Sequence, residues 1–232
     1  EDDVKRLHSD MHNVSRQPGE SILHILPKSY SVNGNEITSP VGCVGHDLHG
    51  VFNIVFAKND EMSYLKKAVT NAGLNILSIN LEPIASARAI LTEAEKEEGV
   101  VLLDIGGGTS DLIIYQNNAV IHTAVIPLAG NIITEDIRKV FSVSKNNAEN
   151  LKIYHGRATD EYVQKNVKIS IPGEDNWPSI AVGEMELAKV IQARLEQIAV
   201  ALNYEMKYAG VQNSIKKIVL TGGGANLTDI EQ

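Results

Sequence analysis

The sequence has a single cysteine, Cys43, so it cannot close an internal disulfide, and a reducing compartment is the expected setting. It has no apolar run of membrane-spanning length and no signal-peptide pattern. It lacks a positive surplus: 21 Lys and Arg stand against 29 Asp and Glu, a net charge of −8. That balance argues against a nucleic-acid partner, short of one basic face inside an acidic total. It also lacks an initiating methionine, beginning at Glu1 and stopping at Gln232 soon after a glycine-rich turn, so it reads as a fragment truncated at both ends. What remains is 232 residues, 43% hydrophobic and 22% charged. This is ordinary globular composition, long enough for one large or two modest domains with a real core.

The most informative stretch is Val100 to Tyr115, VVLLDIGGGTSDLIIY. An apolar run predicts a buried strand, Gly106, Gly107 and Gly108 a turn that bulkier residues would resist, and Thr109 to Tyr115 a returning strand. A turn without side chains exposes several backbone N–H groups in one concave place, which suits phosphate oxygens. Asp104 and Asp111 flank it with carboxylates suited to a hydrated Mg²⁺, which takes few protein ligands. A P-loop or dinucleotide fingerprint needs a helix after the glycines, and the sequence offers a strand instead. The plain alternatives are a glycine-rich hairpin turn, with Asp104 as its cap.

Before that stretch, residues 1–14 have helical spacing, Gln17-Pro18-Gly19 breaks the chain, and Ile22 to Leu26 and Tyr30 to Val32 read as short strands. Asn33-Gly34 is a turn, and His49 to Ala57 a strand buried on much of its surface. The pairs His8/His12 and His46/His49 lack a third zinc ligand and read as solvated or structural. A helix from Asn59 or Asp60 ends at Gly73, Leu74 to Asn80 reads as a strand, and Glu82-Pro83 opens a helix whose end dissolves into the acidic run 93–99, a solvated connection. After the hairpin, Asn117-Asn118 turns into a third antiparallel strand, Val120 to Ile126. Helices follow at Ile133 to Phe141 and Ala148 to His155, the latter with Glu149 and Lys152 one turn apart, which alone could be a surface ion pair. Val167 to Ile171 reads as a strand and Val182 to Tyr208 as a long helix. Lys217 to Leu220 then runs into Gly222, Gly223 and Gly224, a second glycine turn that leads into a helix and could admit a flat ring to bare backbone.

These motifs resemble one superfamily. DIGGGTSD is similar to the second phosphate loop of the actin, Hsp70 and sugar-kinase superfamily, IVLTGGGANL at 218–227 to its adenosine motif, PLAGN at 127–131 to its interdomain hinge, and AENLK at 148–152 to the helix lining adenine and ribose. HILPKSYSVNG at 24–34, SPVGCVG at 39–45 and the strand at 49–57 resemble the α+β subdomain that distinguishes the FtsA family of bacterial cell-division proteins. PLAGNIITEDI and LKIYHGRA point to the same branch.

The resemblance implies an α/β, actin-like (ribonuclease H-like) two-lobed ATPase fold with an FtsA-type inserted subdomain at 1–57. The rest of the first lobe would be 58–98, the second lobe 99–130 with 216–232, and a small helical and strand subdomain 131–215. It implies ATP and Mg²⁺ as ligands, with Gly106, Gly107, Gly108, Thr109, Asp111, Gly130, Glu149, Lys152, Gly222, Gly223 and Gly224 binding nucleotide. Asp104 would hold Mg²⁺ with Asp111 and position water, and Glu82 would stand near the attacking water, unless it is a plain helix-start carboxylate. Since the first phosphate loop lies upstream in the family, these 232 residues alone are expected to bind ATP weakly or not at all. The family's role is a weak ATPase at most and mainly an adaptor. It tethers the FtsZ ring to the cytoplasmic face of the inner membrane through a C-terminal helix outside this chain, self-polymerises, and receives later division proteins, here through residues 1–57. Arg194 matches a basic position toward the FtsZ tail, or is an exposed helical arginine. A sugar or acetate kinase, or an Hsp70-like ATPase domain, is the alternative within the superfamily.

Overall fold

The computed structural model describes residues 1–164, 166–173 and 179–231, so parts of the stretches 131–215 and 216–232 lie outside the described residues. The chain divides into two compact units: Glu1–Val101 with Ile113–Thr123 and Ile215–Lys217, and Leu102–Leu112 with Ala124–Ser214 and Ile218–Gln232.

The first unit opens with helix α1 (Asp2–Asp10) and a sheet in the order β2-β1-β3, from β1 (Glu20–Val32), β2 (Asn35–Ile37) and β3 (Leu48–Lys58). Strand β1 is continuous where the sequence predicts two short strands. Pro27 breaks nothing, because β2 pairs only with Tyr30–Val32 and leaves β1 with a single neighbour at Pro27, where the register also shifts. A missing N–H is tolerated at such an edge or bulge. Asn33 (φ 52°) and Gly34 (φ 82°) form the left-handed two-residue turn expected of Asn-Gly. Strand β3 is only partly covered, Val51 being exposed, against the expectation of a largely buried strand.

Helix α2 (Asn59–Asn71) follows, then residues 74–80, which take no strand conformation: a strand needs a partner ladder, and Leu77 is 99% exposed. Helix α3 (Glu82–Ile90) starts with Pro83 in its first turn. Two side chains of the β1-β3 sheet hold this part of the unit. His24 Nε2 accepts the Leu81 N–H at 3.0 Å, and Asn53 donates to the carbonyls of Val120 and Ile121 at 2.8 and 3.2 Å. The acidic run is a helix, α4 (Glu93–Glu98), with Glu93, Glu97 and Glu98 exposed to solvent. A capping box starts it, Thr92 and Glu95 exchanging bonds, and buried Lys96 anchors it with its ammonium on Glu93 at 2.8 Å and 5.7 Å from the Tyr115 ring centre.

Strands β4 (Val100–Ile105), β5 (Ser110–Gln116), β6 (Ala119–Ile126) and, from later in the chain, β9 (Lys217–Thr221) form a sheet in the order β6-β5-β4-β9. The connections from β4 to β5 and from β5 to β6 are too short for a parallel crossover, so these strands run antiparallel. In the second unit, helices α5 (Gly130–Phe141) and α6 (Lys145–His155), the ribbon β7 (Lys168–Ile171) with β8 (Ile180–Gly183), and helix α7 (Glu184–Tyr208) enclose a core of Ile133, Ile137, Leu151, Val182, Leu187 and Ile191. Val182 belongs to β8 and not to the long helix, because Ile180 and Val182 pair across the ribbon with Ile171 and Ile169. β9 (Lys217–Thr221) leads into a short 3-10 turn, Gly223–Asn226, where the sequence predicts a helix. Among the described residues no helix is long and apolar enough to cross a membrane.

Candidate functional site

The predicted phosphate-binding residues fall in the second unit, at the end of β4. The glycines there do not serve an unusual backbone: none of Gly106, Gly107 and Gly108 has a positive φ. Their role is spatial. The first N–H groups of α5 are stapled onto the turn, Gly130 to the Gly106 carbonyl at 3.0 Å and Asn131 to the Gly107 carbonyl at 2.8 Å. A trans peptide sets each carbonyl opposite the following N–H, so the amides of Gly107 and Gly108 point to the other side of the turn. A Cβ on Gly108 would meet nothing within 4 Å, and one on Gly107 only the Asn131 side chain, at 3.4 Å. Ser110, fully buried, fixes the start of β5 by donating to the Leu128 carbonyl at 2.7 Å.

The second glycine turn divides by role. Gly222 has φ 85°, and a Cβ there would lie 2.3 Å from Asp104 Oδ1 and 2.6 Å from the Ile105 carbonyl. A Cβ on Gly224 would lie 2.3 Å from the Ile105 side chain. These two glycines admit the end of β4, not a ring. Only Gly223 has open space beside it. The segment beyond is anchored by Ala158, whose N–H bonds the Thr228 carbonyl at 2.8 Å, and by Arg157, which pairs with Asp229 and, at 3.3 Å, Glu184. Asp229 itself is left-handed, with φ 64°.

Glu149 and Lys152 are more than a surface pair. The Lys152 side chain is 12% exposed and its ammonium donates to Glu149 Oε2 at 2.8 Å, Thr134 Oγ1 at 2.8 Å and the Gly130 carbonyl at 3.0 Å. Burial pushes the Glu149 pKa up, but the Lys152 and Thr134 hydrogen bonds and the charges of Lys152 and Lys145 outweigh it and hold the carboxyl below its ordinary range. The site therefore gathers Gly106, Gly107, Gly130, Glu149 and Lys152 into one bonded group, with Gly108 beside it in the turn and Asp104 against Gly222. Asp111 accepts from the Thr109 hydroxyl at 2.9 Å. Asp104 and Asp111 are half-buried carboxylates of the kind Mg²⁺ uses when phosphates and waters supply its other ligands, so the donor set fits that ion. Among the described residues no group of three or more His, Cys, Asp or Glu is placed to hold a metal.

Two predicted residues take no part in these hydrogen bonds. Glu82 is the first residue of α3, in the first unit. Arg194, on α7, grips Asp136 Oδ2 of α5 through Nε at 2.8 Å and Nη2 at 2.5 Å and reaches Gln197 at 2.6 Å, so its charge serves packing within the unit. Sequence reasoning passes over Thr134, Asn131 and Ser110. A threonine one helical turn after Gly130 was the signal for the first of these.

Comparison with known proteins gives matches along both parts of the chain. Residues 101–232 match the family model described as cell division protein FtsA, and residues 1–56 that of the SHS2 domain inserted in FtsA. Cell division protein FtsA of Escherichia coli K12 is 32% identical over 236 residues, covering 98% of this chain and 56% of the relative. The protein of the same name from Neisseria meningitidis serogroup B is 32% identical over 231 residues, with the same two coverages. The chain thus spans 56% of the length of these curated relatives. Among solved structures, MreB5 of Spiroplasma citri bound to ADP has a TM-score of 0.61 at 23% identity, over 75% of this chain and 56% of that one. A PilM–PilN type IV pilus biogenesis complex has a TM-score of 0.65 at 16% identity, over 99% and 57%. These likenesses place the fold among the actin-like proteins.

Proposed function

The chain belongs to the FtsA family of cell-division proteins, and from that premise we propose that the glycine turn after β4 binds the phosphates of ATP. One observation carries the reading. The N-terminus of α5 occupies the carbonyls of Gly106 and Gly107, which turns the N–H groups of Gly107 and Gly108 to the other side of the turn, where the Cβ position of Gly108 has nothing within 4 Å. Two aligned amides next to bare glycine make a cradle for anionic oxygen. That MreB5, similar in fold, is bound to ADP supports the same ligand class.

In this reading Asp104 and Asp111 orient the waters of a phosphate-bound Mg²⁺, Glu149 and Lys152 face the sugar and base, Gly223 leaves room for the ring, and Glu82 is a candidate for holding the attacking water. The bound nucleotide supplies negative charge that the turn's amides stabilise, and binding selects among conformations of the protein. The output is attachment to partners: the FtsZ C-terminal tail, further copies of the chain, and later division proteins through residues 1–57, at the cytoplasmic face of the inner membrane. Family membership removes the ground for reading the chain as a sugar kinase or a chaperone.

Calorimetric titration of the full-length protein with MgATP tests this. Gly108→Ala should weaken binding at least about tenfold, roughly 1.4 kcal/mol, because the new methyl fills the cradle and touches nothing else. Unchanged affinity in that variant would sink the assignment.

A further inference from the structure

Thr134 lies at the hub of the group just described and is 1% exposed. Its Oγ1 accepts from Lys152 Nζ at 2.8 Å, and two acceptors stand in reach of its hydrogen: the Gly130 carbonyl at 3.0 Å and Glu149 Oε2. A hydroxyl has one hydrogen to give; given to Glu149 it ties α5 to α6, while Lys152 holds the Gly130 carbonyl. The three Lys152 N–H groups all end within this network, on Gly130, Thr134 and Glu149. Gly130 in turn passes the connection on, its own N–H holding the Gly106 carbonyl. A chain of hydrogen bonds therefore runs from the phosphate turn to Glu149.

The carboxylate at its far end is half engaged. Both bonds fall on Oε2, while Oε1 stands outside the network on a side chain 40% exposed. A carboxylate pinned by an ammonium and a hydroxyl stays ionised and can only accept, so its outer oxygen recognises a ligand group that donates. A ribose hydroxyl is such a group, and a site built to pair with a hydroxyl discriminates against the analogue that lacks it.

We propose that Thr134 is a positioning residue that fixes the Glu149 carboxylate and thereby makes the nucleotide site selective for ribonucleotides. The inference rests on the ATP reading above, and it adds a role for a side chain that touches no ligand itself. A valine at 134 keeps the branched shape but deletes the bridge, leaving Glu149 to swing on Lys152 alone.

The test measures affinities of the full-length protein for MgATP and for Mg²⁺ with 2′,3′-dideoxy-ATP. Wild type should prefer ATP by about tenfold or more, the scale of one hydrogen bond to a charged group. Thr134→Val should bring ATP down to the dideoxy value while dideoxy-ATP stays within about twofold of wild type, and Thr134→Ser should restore the preference. Glu149→Gln, which leaves residue 134 as threonine but removes the charge and puts an NH₂ donor in place of one accepting oxygen, should weaken the preference as well and serves if the valine variant does not fold. Equal weakening of both nucleotides by Thr134→Val would mark a packing role and overturn the proposal, as would a preserved ratio in either Thr134→Val or Glu149→Gln. Wild type that binds both nucleotides alike would overturn it and leave the ATP reading standing. Wild type that binds neither would overturn both.

Discussion

Replacing each glycine of the second turn by alanine separates packing from ligand space. At Gly222 the new Cβ would sit 2.3 Å from Asp104 Oδ1 and 2.6 Å from a main-chain carbonyl, at φ 85°. Left-handed backbone costs an L-residue roughly 1–2 kcal/mol, and forcing a methyl into occupied space roughly 1–3 kcal/mol. Gly222→Ala should therefore lose about 2–5 kcal/mol, a large part of a typical domain's stability. Gly224→Ala has no φ penalty and meets the Ile105 side chain at 2.3 Å, so it should lose about 1–3 kcal/mol. At Gly223 nothing lies within 4 Å, and Gly223→Ala should stay within about 0.5 kcal/mol of wild type. Urea unfolding followed by far-UV circular dichroism reads these as midpoint shifts, on the order of 1–2.5 M for Gly222→Ala with an m-value near 2 kcal/mol/M. Equal midpoints for the Gly222 and Gly223 variants would refute the division of roles between close approach and open space.

Three further outcomes follow from the same structure. His24 Nε2 must be unprotonated to accept the Leu81 N–H, and burial, then the Arg88 charge, holds its pKa below 6.5. The unfolded chain then takes the proton first, so this contribution is complete above pH 6.5 and fades as pH falls toward the folded value; His24→Gln should flatten the change in urea midpoint between pH 7.5 and 5.5. Glu95 is drawn from 4.5 to about 2 by its hydrogen bond from Lys217 and then those from Thr92, so its contribution holds above pH 4.5 and is lost through that window; Glu95→Gln should remove this part of the acid limb in a pH titration of stability. Arg194→Glu would set a second carboxylate against Asp136 and should cost about 2 kcal/mol by urea unfolding, so loss of FtsZ-tail peptide binding counts for that surface only if Asp136→Asn, which also breaks the pair, keeps it.

How far the sequence disclosed this structure depended on whether the deciding information was local. The β4-β5 hairpin, the Asn33-Gly34 and Asn117-Asn118 turns and the Glu82-Pro83 helix start are set by short-range chemistry, and each stands where the pattern puts it. Helix α4 was also locally encoded, in the Thr92–Glu95 capping box, but its acidic residues masked the signal. Residues 74–80 carry a strand pattern that cannot become a strand without a neighbouring ladder, and β8 exists because β7 lies beside it. At the site, glycine and acid positions were legible from spacing alone. Which glycines face space and which face Ile105 was not, because that depends on β4 packing against the turn after β9. Thr134 escaped notice for a similar reason: only the meeting of α5 with α6 makes its hydroxyl a hub.

The most direct test is a ¹⁵N-glycine-labelled full-length protein followed by amide NMR as MgATP is added. The resonances of Gly107 and Gly108 should shift strongly on saturation, while Gly224, whose surroundings are filled by Ile105, should move little. Saturable ATP binding that leaves the Gly107 and Gly108 amides where they were would show that the phosphates are held elsewhere.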